Sequence, residues 1–462
     1  MTPKEILWAN ADTLEQATQA AFEAFQTYKH SSHFIRAELL AAMAVGISQR
    51  RHELVQRMIT EAGKPHLLAN GEIDRAIQTF KLSAIETLRW GGHTLPVDID
   101  PNGRSYGEAL VRWVPRGPVL AISPFNFPLN LGVHKVAPAL AVGATVLLKP
   151  PPQAAGCAFI LHEIYEDAIG QIRDRELGET IPKAAFQVLQ ASPEVIGKAV
   201  EDPRFGVLSF TGSDKVGWQL QAKATRKKVI LELGGNAAVI VHRDADLQRA
   251  AARCAYGAYA YAGQVCISVQ RILVDQQVMK EFSAQLIGEI KKLKVGDPAD
   301  PATLVGPMID SNAANRVMSW VDEAVHAGAK MIQGGERQGN LVHPILLTHV
   351  PLNEKVVTEE VFGPVAVLQS YDKMGEAIQE VNRSRFGLQA GVFSNDHTLI
   401  QKVIRQLDVG GIIINDVPTY RADVAPYGGM KESGIGREGP RSAMEAYCEP
   451  QTILTSTSRE LL

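Results

Sequence analysis

Over the first ninety residues the apolar positions recur at helical spacing. Leu14, Ala17, Ala21, Phe22 and Phe25 follow Asp12 and Glu15, which read together as a capping box. A second helix is expected from about 32 to 62, stopping at Gly63-Lys64-Pro65, and a third from 70 to about 90, stopping at Gly91-Gly92. From about residue 107 the period changes. Short apolar runs bounded by Gly or Pro, at 119–122, 145–149, 186–189, 207–210, 229–233 and 238–241, alternate with helical patterns near 130–142, 153–169, 193–201 and 214–224. The alternation resumes after residue 246, with strands expected near 271–275, 326–332, 364–369, 389–393 and 411–415. Strand–helix alternation of this kind predicts parallel sheets covered on both faces. The expected fold class is α/β, with two doubly wound units after a helical N-terminus. The tail at 450–457 alternates enough to form a strand, and so a subunit-pairing edge.

Composition narrows the partners. The chain has 462 residues, 45% hydrophobic and 21% charged, which excludes a disordered chain and suits two or three domains. With 47 Lys and Arg against 50 Asp and Glu, the net charge is −3, which argues against nucleic acid or an anionic membrane as partner. The most apolar tract, 117–148, is interrupted by Pro124, Asn126, His134, Lys135 and Pro138, so it never supplies the about 20 clean apolar residues of a membrane helix. The first residues show no signal-peptide pattern. The cysteines at 157, 254, 266 and 448 form no CxxC pair, so neither a disulfide framework nor a metal site is expected, and a cytoplasmic location is.

Several residues carry candidate chemistry. Cys266, in Ala-Gly-Gln-Val-Cys-Ile-Ser, has Gly263 close by to leave space for a substrate, although its own window reads more readily as a packing cysteine. Glu232 closes an apolar strand before Gly234-Gly235; buried there its pKa rises into the range of a general base, and turned outward it is an ordinary surface carboxylate. Asn126, between Phe125 and Phe127 and flanked by prolines, is either an immobile oxyanion donor or a turn former. The segment 210–217 joins a strand to a helix N-terminus, a place for phosphate, but it is not GxGxxG. Lys149 precedes three prolines, where it reaches either cofactor hydroxyls or only solvent.

The order of these signals is more specific than any one of them. Pro124-Phe-Asn-Phe-Pro128, Phe210-Thr-Gly-Ser213, Leu231-Glu-Leu-Gly-Gly235, Gly263-Gln-x-Cys266, Glu360-x-Phe-Gly-Pro364 and Pro426-Tyr-Gly-Gly-x-Lys-x-Ser-Gly434 succeed one another across nearly the whole chain. In this the sequence resembles the aldehyde dehydrogenase superfamily. The resemblance implies Cys266 as nucleophile, Asn126 as oxyanion donor and Glu232 as the base that hydrolyses a thioester, giving a carboxylic acid. It implies NAD or NADP bound by Ile122, Phe125, Lys149, Pro152, Gly212, Ser213, Leu233, Gly234, Glu360 and Phe362, on a Rossmann-like sheet without the usual glycine fingerprint. It places Phe127, Asn130, His134 and Tyr427 around the aldehyde.

One departure bears on the cofactor. Many NAD-preferring members carry Glu where Pro152 stands, and without that carboxylate a 2′-phosphate is not repelled. The Lys149-Pro-Pro-x-Gln153 run and the 124–128 motif look like the non-phosphorylating glyceraldehyde-3-phosphate and lactaldehyde dehydrogenase branch. Arg421, with His134, is expected to recognise a hydroxyl or anionic group on a small polar aldehyde such as lactaldehyde, a semialdehyde or glyceraldehyde 3-phosphate; the competing reading pairs Arg421 with Asp423 or Asp416. Two rival functions stand beside this one. Acylating relatives usually lack the Glu matching Glu232, and a binding protein with catalysis lost would not need Cys266, Glu232 and Asn126 together. By resemblance the cofactor domain spans 1–97 and 117–233, and the catalytic domain 234–446. An oligomerisation arm takes 98–116 and 447–462, in a homodimer or homotetramer.

Overall fold

The structure, a computed structural model, describes residues 8–100, 106–175 and 180–455. Six strands form the first sheet, in the spatial order Gly434–Ile435, Lys228–Glu232, Val207–Thr211, Val119–Ile122, Val146–Lys149 and Phe186–Val188. The five longer members are parallel; Gly434–Ile435 joins the edge antiparallel to Lys228–Glu232. Counted in chain order the parallel strands run 3-2-1-4-5, the Rossmann order, whose ligand crevice opens between strands 1 and 4 at their carboxyl ends. Ile122 and Thr211 end those two strands, and Glu232 and Lys149 end their neighbours.

Both faces are covered because the strands are apolar on both sides. Helices His33–Gln49, Arg51–Ala62, His66–Leu88, Asn130–Val142 and Gly156–Asp174 bury one face, and helices Ala11–Tyr28 and Pro193–Glu201 contribute to the core on the other. A second sheet has seven strands, Lys330–Gln333, Ile345–Thr348, Val365–Tyr371, Val269–Asp275, Ala237–Val241, Gln389–Phe393 and Gly411–Ile414 in spatial order. Of these only Lys330–Gln333 runs antiparallel to its neighbour. The α/β class with two parallel-sheet units is as expected. Before its end the chain returns to the first unit, where Met444 and Tyr447 are fully buried in the core beneath the N-terminal helices.

Local details differ from the periodicity reading. The first helix is capped by Asn10, whose side-chain oxygen accepts from Thr13 N at 2.9 Å, rather than by Asp12 with Glu15. The single helix expected over 32–62 is two, broken at Arg50 (φ −96°, ψ 18°), whose guanidinium bonds Glu53 at 2.8 Å and Glu163 at 2.7 Å. No Gly or Pro announces the break in the sequence. The third helix starts at His66, directly after Pro65, and stops at Leu88 before the glycine pair. The strand expected over 326–332 begins only at Lys330; His326 ends helix Ser311–His326, which buries Val321 and Ala324 at helical spacing, and 327–329 form the turn between them.

A separate three-stranded antiparallel sheet joins His93–Pro96, Glu108–Pro115 and Cys448–Leu454, with Val111 opposite both His93 and Thr452. The expected C-terminal strand is present, and Glu108–Pro115 lies within the 98–116 stretch, but its partner His93–Pro96 precedes that stretch; 101–105 and the end of the 450–457 stretch fall outside the described residues. Among the described residues no helix is long and apolar enough to cross a membrane, and no cluster of His, Cys, Asp and Glu is arranged to hold a metal ion.

Gly92 is required by close approach. A Cβ there would lie 1.7 Å from the Val111 carbonyl oxygen. Gly92→Ala is expected to push strand His93–Pro96 off its partner at a cost of about 1–3 kcal/mol, read as a lowered thermal midpoint with the far-ultraviolet spectrum retained.

Candidate active site

The nucleophile candidate arrives on a strained turn. Helix Leu247–Tyr259 is followed by Tyr261 (φ 56°), Ala262 (φ 53°) and Gly263 (φ 66°), three successive left-handed residues. Gly263 also admits the Gly363 carbonyl, which would sit 2.2 Å from a Cβ. Gln264 then pins the loop: its Oε1 accepts from Ile309 N at 2.8 Å, and its own carbonyl accepts from Asn126 Nδ2 at 3.0 Å. Cys266 follows, partly exposed, whereas Cys157, Cys254 and Cys448 are buried. Burial pushes the Cys266 thiol up to about 12, opposed by a 3.4 Å contact with the Tyr427 hydroxyl.

Asn126 lies in a bend and is 3% exposed, so its amide is buried whichever role it serves. Its Nδ2 carries two protons, and the Gln264 carbonyl takes one of them. The loop bearing it is held by a buried ion pair that the sequence did not reveal. Lys64 Nζ bonds Glu72 Oε2 at 2.5 Å and donates to the Asn126 carbonyl at 2.8 Å, while lying 3.6 Å from the Phe127 ring centroid. Glu72 Oε1 in turn accepts from Leu129 N at 2.8 Å and Asn130 N at 2.9 Å, capping the helix that carries Asn130 and His134.

Glu232 points inward, 3% exposed, and among the described residues neither carboxylate oxygen has a hydrogen-bond partner. Burial, reinforced by the nearby Glu438 charge, pushes its carboxyl well above the ordinary range. Glu438 is the opposite case: burial would raise it too, but Lys135 (3.0 Å) and Arg421 (3.1 Å) outweigh that and keep it ionised. Two buried carboxyls are thereby driven apart in acidity by their partners.

Arg421 is 6% exposed in its side chain and belongs to this network. It bonds Glu438 through both terminal nitrogens, lies 3.5 Å from Asp423, and stacks 3.9 Å from the Tyr427 ring centroid. Asp416 is instead held by Arg253 at 2.6 Å, so of the two alternative partners only Asp423 is near, and it is buried. Arg421 can only donate, so His134 Nδ1 accepts from it at 3.2 Å and Nε2 carries the ring proton, aimed at Asp423 3.1 Å away. Burial and the Arg421 charge pull His134 down to about 4, so the ring is neutral with both nitrogens engaged. Asp423 also takes a two-point bond from Arg75, at 2.7 and 2.9 Å. Arg75 is the more open guanidinium, 31% exposed, and lies 5.7 Å from the Phe127 ring centroid. Sequence spacing could not find it, because its partner is 348 residues away.

The cofactor candidates lie along the carboxyl ends of the first sheet. Ile122 and Lys149 end adjacent strands, and Gly212-Ser213 leads from Thr211 into helix Asp214–Lys223, with Ser213 capping Val216 N. The Lys149 ammonium is partly buried, which pulls its pKa down, and Pro152 beyond it is exposed. Leu233 and Gly234 continue from Glu232, and Glu360 Oε1 accepts from Gly235 N at 3.0 Å. Burial raises the Glu360 carboxyl to about 7. Phe362 holds a left-handed backbone (φ 46°) and meets Phe125 edge-on at 5.9 Å.

A partly exposed thiol and a buried carboxyl thus lie together beside the carboxyl end of a Rossmann-order sheet, the place where such sheets bind dinucleotides. Residues 4–453 match the family model described as the aldehyde dehydrogenase family. The chain belongs to that family and is an NAD(P)-dependent aldehyde dehydrogenase. It is 41% identical to a 3-sulfolactaldehyde dehydrogenase of Priestia aryabhattai, over 97% of this chain and 92% of that one. Aldehyde dehydrogenase 21 from Physcomitrella patens, solved with the reaction product succinate, superposes with a TM-score of 0.94 at 37% identity, covering 98% of this chain and 92% of that one. A glyceraldehyde-3-phosphate dehydrogenase from Methanocaldococcus jannaschii, solved with NADP, gives a TM-score of 0.93 at 34% identity, covering 99% and 97%.

Removing one member of the Lys64–Glu72 pair leaves a buried charge uncompensated. Lys64→Met is expected to cost about 3–5 kcal/mol of stability, and Lys64→Met with Glu72→Gln to recover much of it, compared through their urea unfolding midpoints.

Proposed function

We propose that the protein oxidises a small anionic aldehyde to its carboxylic acid, with Cys266 as nucleophile, Asn126 as oxyanion donor and Glu232 as the base for product release. The observation that carries this reading is Glu232: a fully buried carboxyl with both oxygens unpartnered, on the strand end next to the Cys266 loop. A structural carboxylate would be bonded, and Glu438 close by is.

In this reading Cys266 Sγ attacks the aldehyde carbon, and the second Nδ2 proton of Asn126 meets the oxygen as it gains charge. The bound dinucleotide supplies the acceptor for the hydride that leaves the carbon. Glu232 takes a proton from water, which attacks the resulting thioester and returns the thiol. The strand ends suit such a cofactor, since the Lys149 ammonium makes no hydrogen bond or ion pair among the described residues and Ser123 Oγ is buried without one. Pro152 presents no charge to a 2′-phosphate, which supports acceptance of NADP beside NAD.

Charge supports the substrate class. Four cations, Arg75, Lys135, Arg421 and Arg437, stand among three carboxyls, Glu232, Asp423 and Glu438, with His134 neutral, so positive charge is in excess. Arg75 is the cation open to an incoming tail, with Arg421 behind it. The relatives named for sulfolactaldehyde and glyceraldehyde 3-phosphate, and the one solved with succinate, agree with an anionic aldehyde. The arm sheet, with Leu95, Leu110 and Leu454 exposed and a free outer strand, supports a homodimer or homotetramer. Four free cysteines, one of them needed as a thiol, support a cytoplasmic site of action.

Cys266→Ala should abolish reduced-cofactor formation. Glu232→Gln should retain a burst of about one equivalent per site and then turn over about 10²–10⁴-fold more slowly. Because burial raises the Glu232 carboxyl well above the ordinary range, hydrolysis by the wild type should accelerate as pH rises through its titration, and this acceleration should vanish in Glu232→Gln. For the substrate, Arg75→Met should raise KM for succinate semialdehyde about tenfold or more while leaving an uncharged aldehyde of similar length nearly unaffected; equal effects on both would exclude the anionic tail.

A further inference from the structure

Among the described residues the Cys266 sulfur makes one hydrogen-bonding contact, to the Tyr427 hydroxyl at 3.4 Å. No histidine or lysine bonds it. Asn126 spends its bonded proton on the Gln264 carbonyl, and the Glu232 oxygens bond nothing. The phenol is firmly placed: Tyr427 N donates to the Glu438 carbonyl at 2.9 Å, and Glu438 N donates back to the Tyr427 carbonyl at 2.7 Å. Its ring packs with Ile267, Leu388, Val265 and Cys266. Over that ring lies the Arg421 guanidinium, 3.9 Å from the centroid and clamped by Glu438, so it cannot swing away.

We propose that Tyr427 is a catalytic residue whose hydroxyl donates a hydrogen bond to the Cys266 thiolate, with Arg421 stacked on its ring to strengthen the donor. The proposal rests on Cys266 being the nucleophile.

The direction of the bond follows from donor strength. A thiol is a weak donor and a weak acceptor, whereas a thiolate is a strong acceptor, so a fixed phenol beside the sulfur stabilises the ionised form more than the neutral one. Burial opposes ionisation of Cys266 strongly, and some group has to offset it for attack near neutral pH. Tyr427 keeps its own proton, since burial and then the adjacent sulfur push the phenol well above its usual range. The guanidinium against the ring face draws density from the phenol and adds positive potential near the sulfur.

Tyr427→Phe removes the hydroxyl and keeps the ring beneath Arg421. The measurement is the pH dependence of iodoacetamide alkylation in the full-length protein, assigned to Cys266 by peptide mass spectrometry, beside kcat and KM over the same range. The expected result is an apparent pKa raised by about one unit, so that alkylation and kcat/KM fall about tenfold near pH 7.5 and recover at high pH. An unmoved pKa would overturn the proposal, even with a raised KM, because Tyr427 would then only wall the site. A lowered pKa would also overturn it, since the hydroxyl would be accepting from the thiol. Full turnover by Cys266→Ala would instead remove the nucleophile reading on which the proposal stands.

Discussion

The arrangement of the site depends on one buried ion pair. Lys64 and Glu72 come from the end of one N-terminal helix and the body of the next, and neither residue enters the proposed chemistry. Between them they fix both loops that do. Lys64 holds the Asn126 carbonyl and lies against the Phe127 and Tyr261 rings, while Glu72 receives the amides that open the helix of Asn130 and His134. Tyr261, first of the left-handed residues before Cys266, returns its hydroxyl to the Ala62 carbonyl two residues before Lys64. A buried pair is expensive unless every donor and acceptor is met. Here the carboxylate has three donors, and the ammonium has two oxygens and two aromatic faces. Satisfied in this way, the pair gives the oxyanion loop and the nucleophile loop a shared reference.

A second theme is the separation of like groups by environment. Glu232 and Glu438 are both buried, yet one is left without partners and the other is surrounded by Lys135 and Arg421. Chemistry that needs a proton acceptor uses the first, and the fixed charge that orders the cleft uses the second. Arg421 links them: bonded to Glu438, stacked on Tyr427 and touching His134, it carries the field of the charged cluster to the sulfur.

What the sequence made legible follows from how local each signal is. Strands Val119–Ile122 and Gln389–Phe393 and helices Asn130–Val142 and Pro193–Glu201 lie where the pattern placed them, because buried parallel strands are unbroken apolar runs and their neighbours are punctuated by Gly and Pro. The break at Arg50 was invisible, since no Gly or Pro marks it and its contact with Glu163 spans 113 residues of sequence. Cys266, Glu232 and Asn126 emerged through ordered motifs, although each alone was ambiguous. Lys64, Glu72 and Arg75 did not emerge at all. Lys64 sits in the short connection after one helix, and Glu72 and Arg75 lie in the next, and only folding brings Lys64 to Asn126 or Arg75 to Asp423.

The late return of the chain to the first unit has a consequence for biosynthesis. Strand Gly434–Ile435 closes the edge of the six-stranded sheet, Met444 fills the core beneath the N-terminal helices, and Glu438 neutralises Lys135 from 303 residues further along. The first half of the polypeptide therefore leaves the ribosome with an open sheet edge, an unfilled core and a buried cation lacking its counter-ion. The first unit needs Gly434–Ile435, Glu438 and Met444 as well as its own strands, and until those distant contacts close the nascent N-terminal unit is the species most exposed to holdase chaperones.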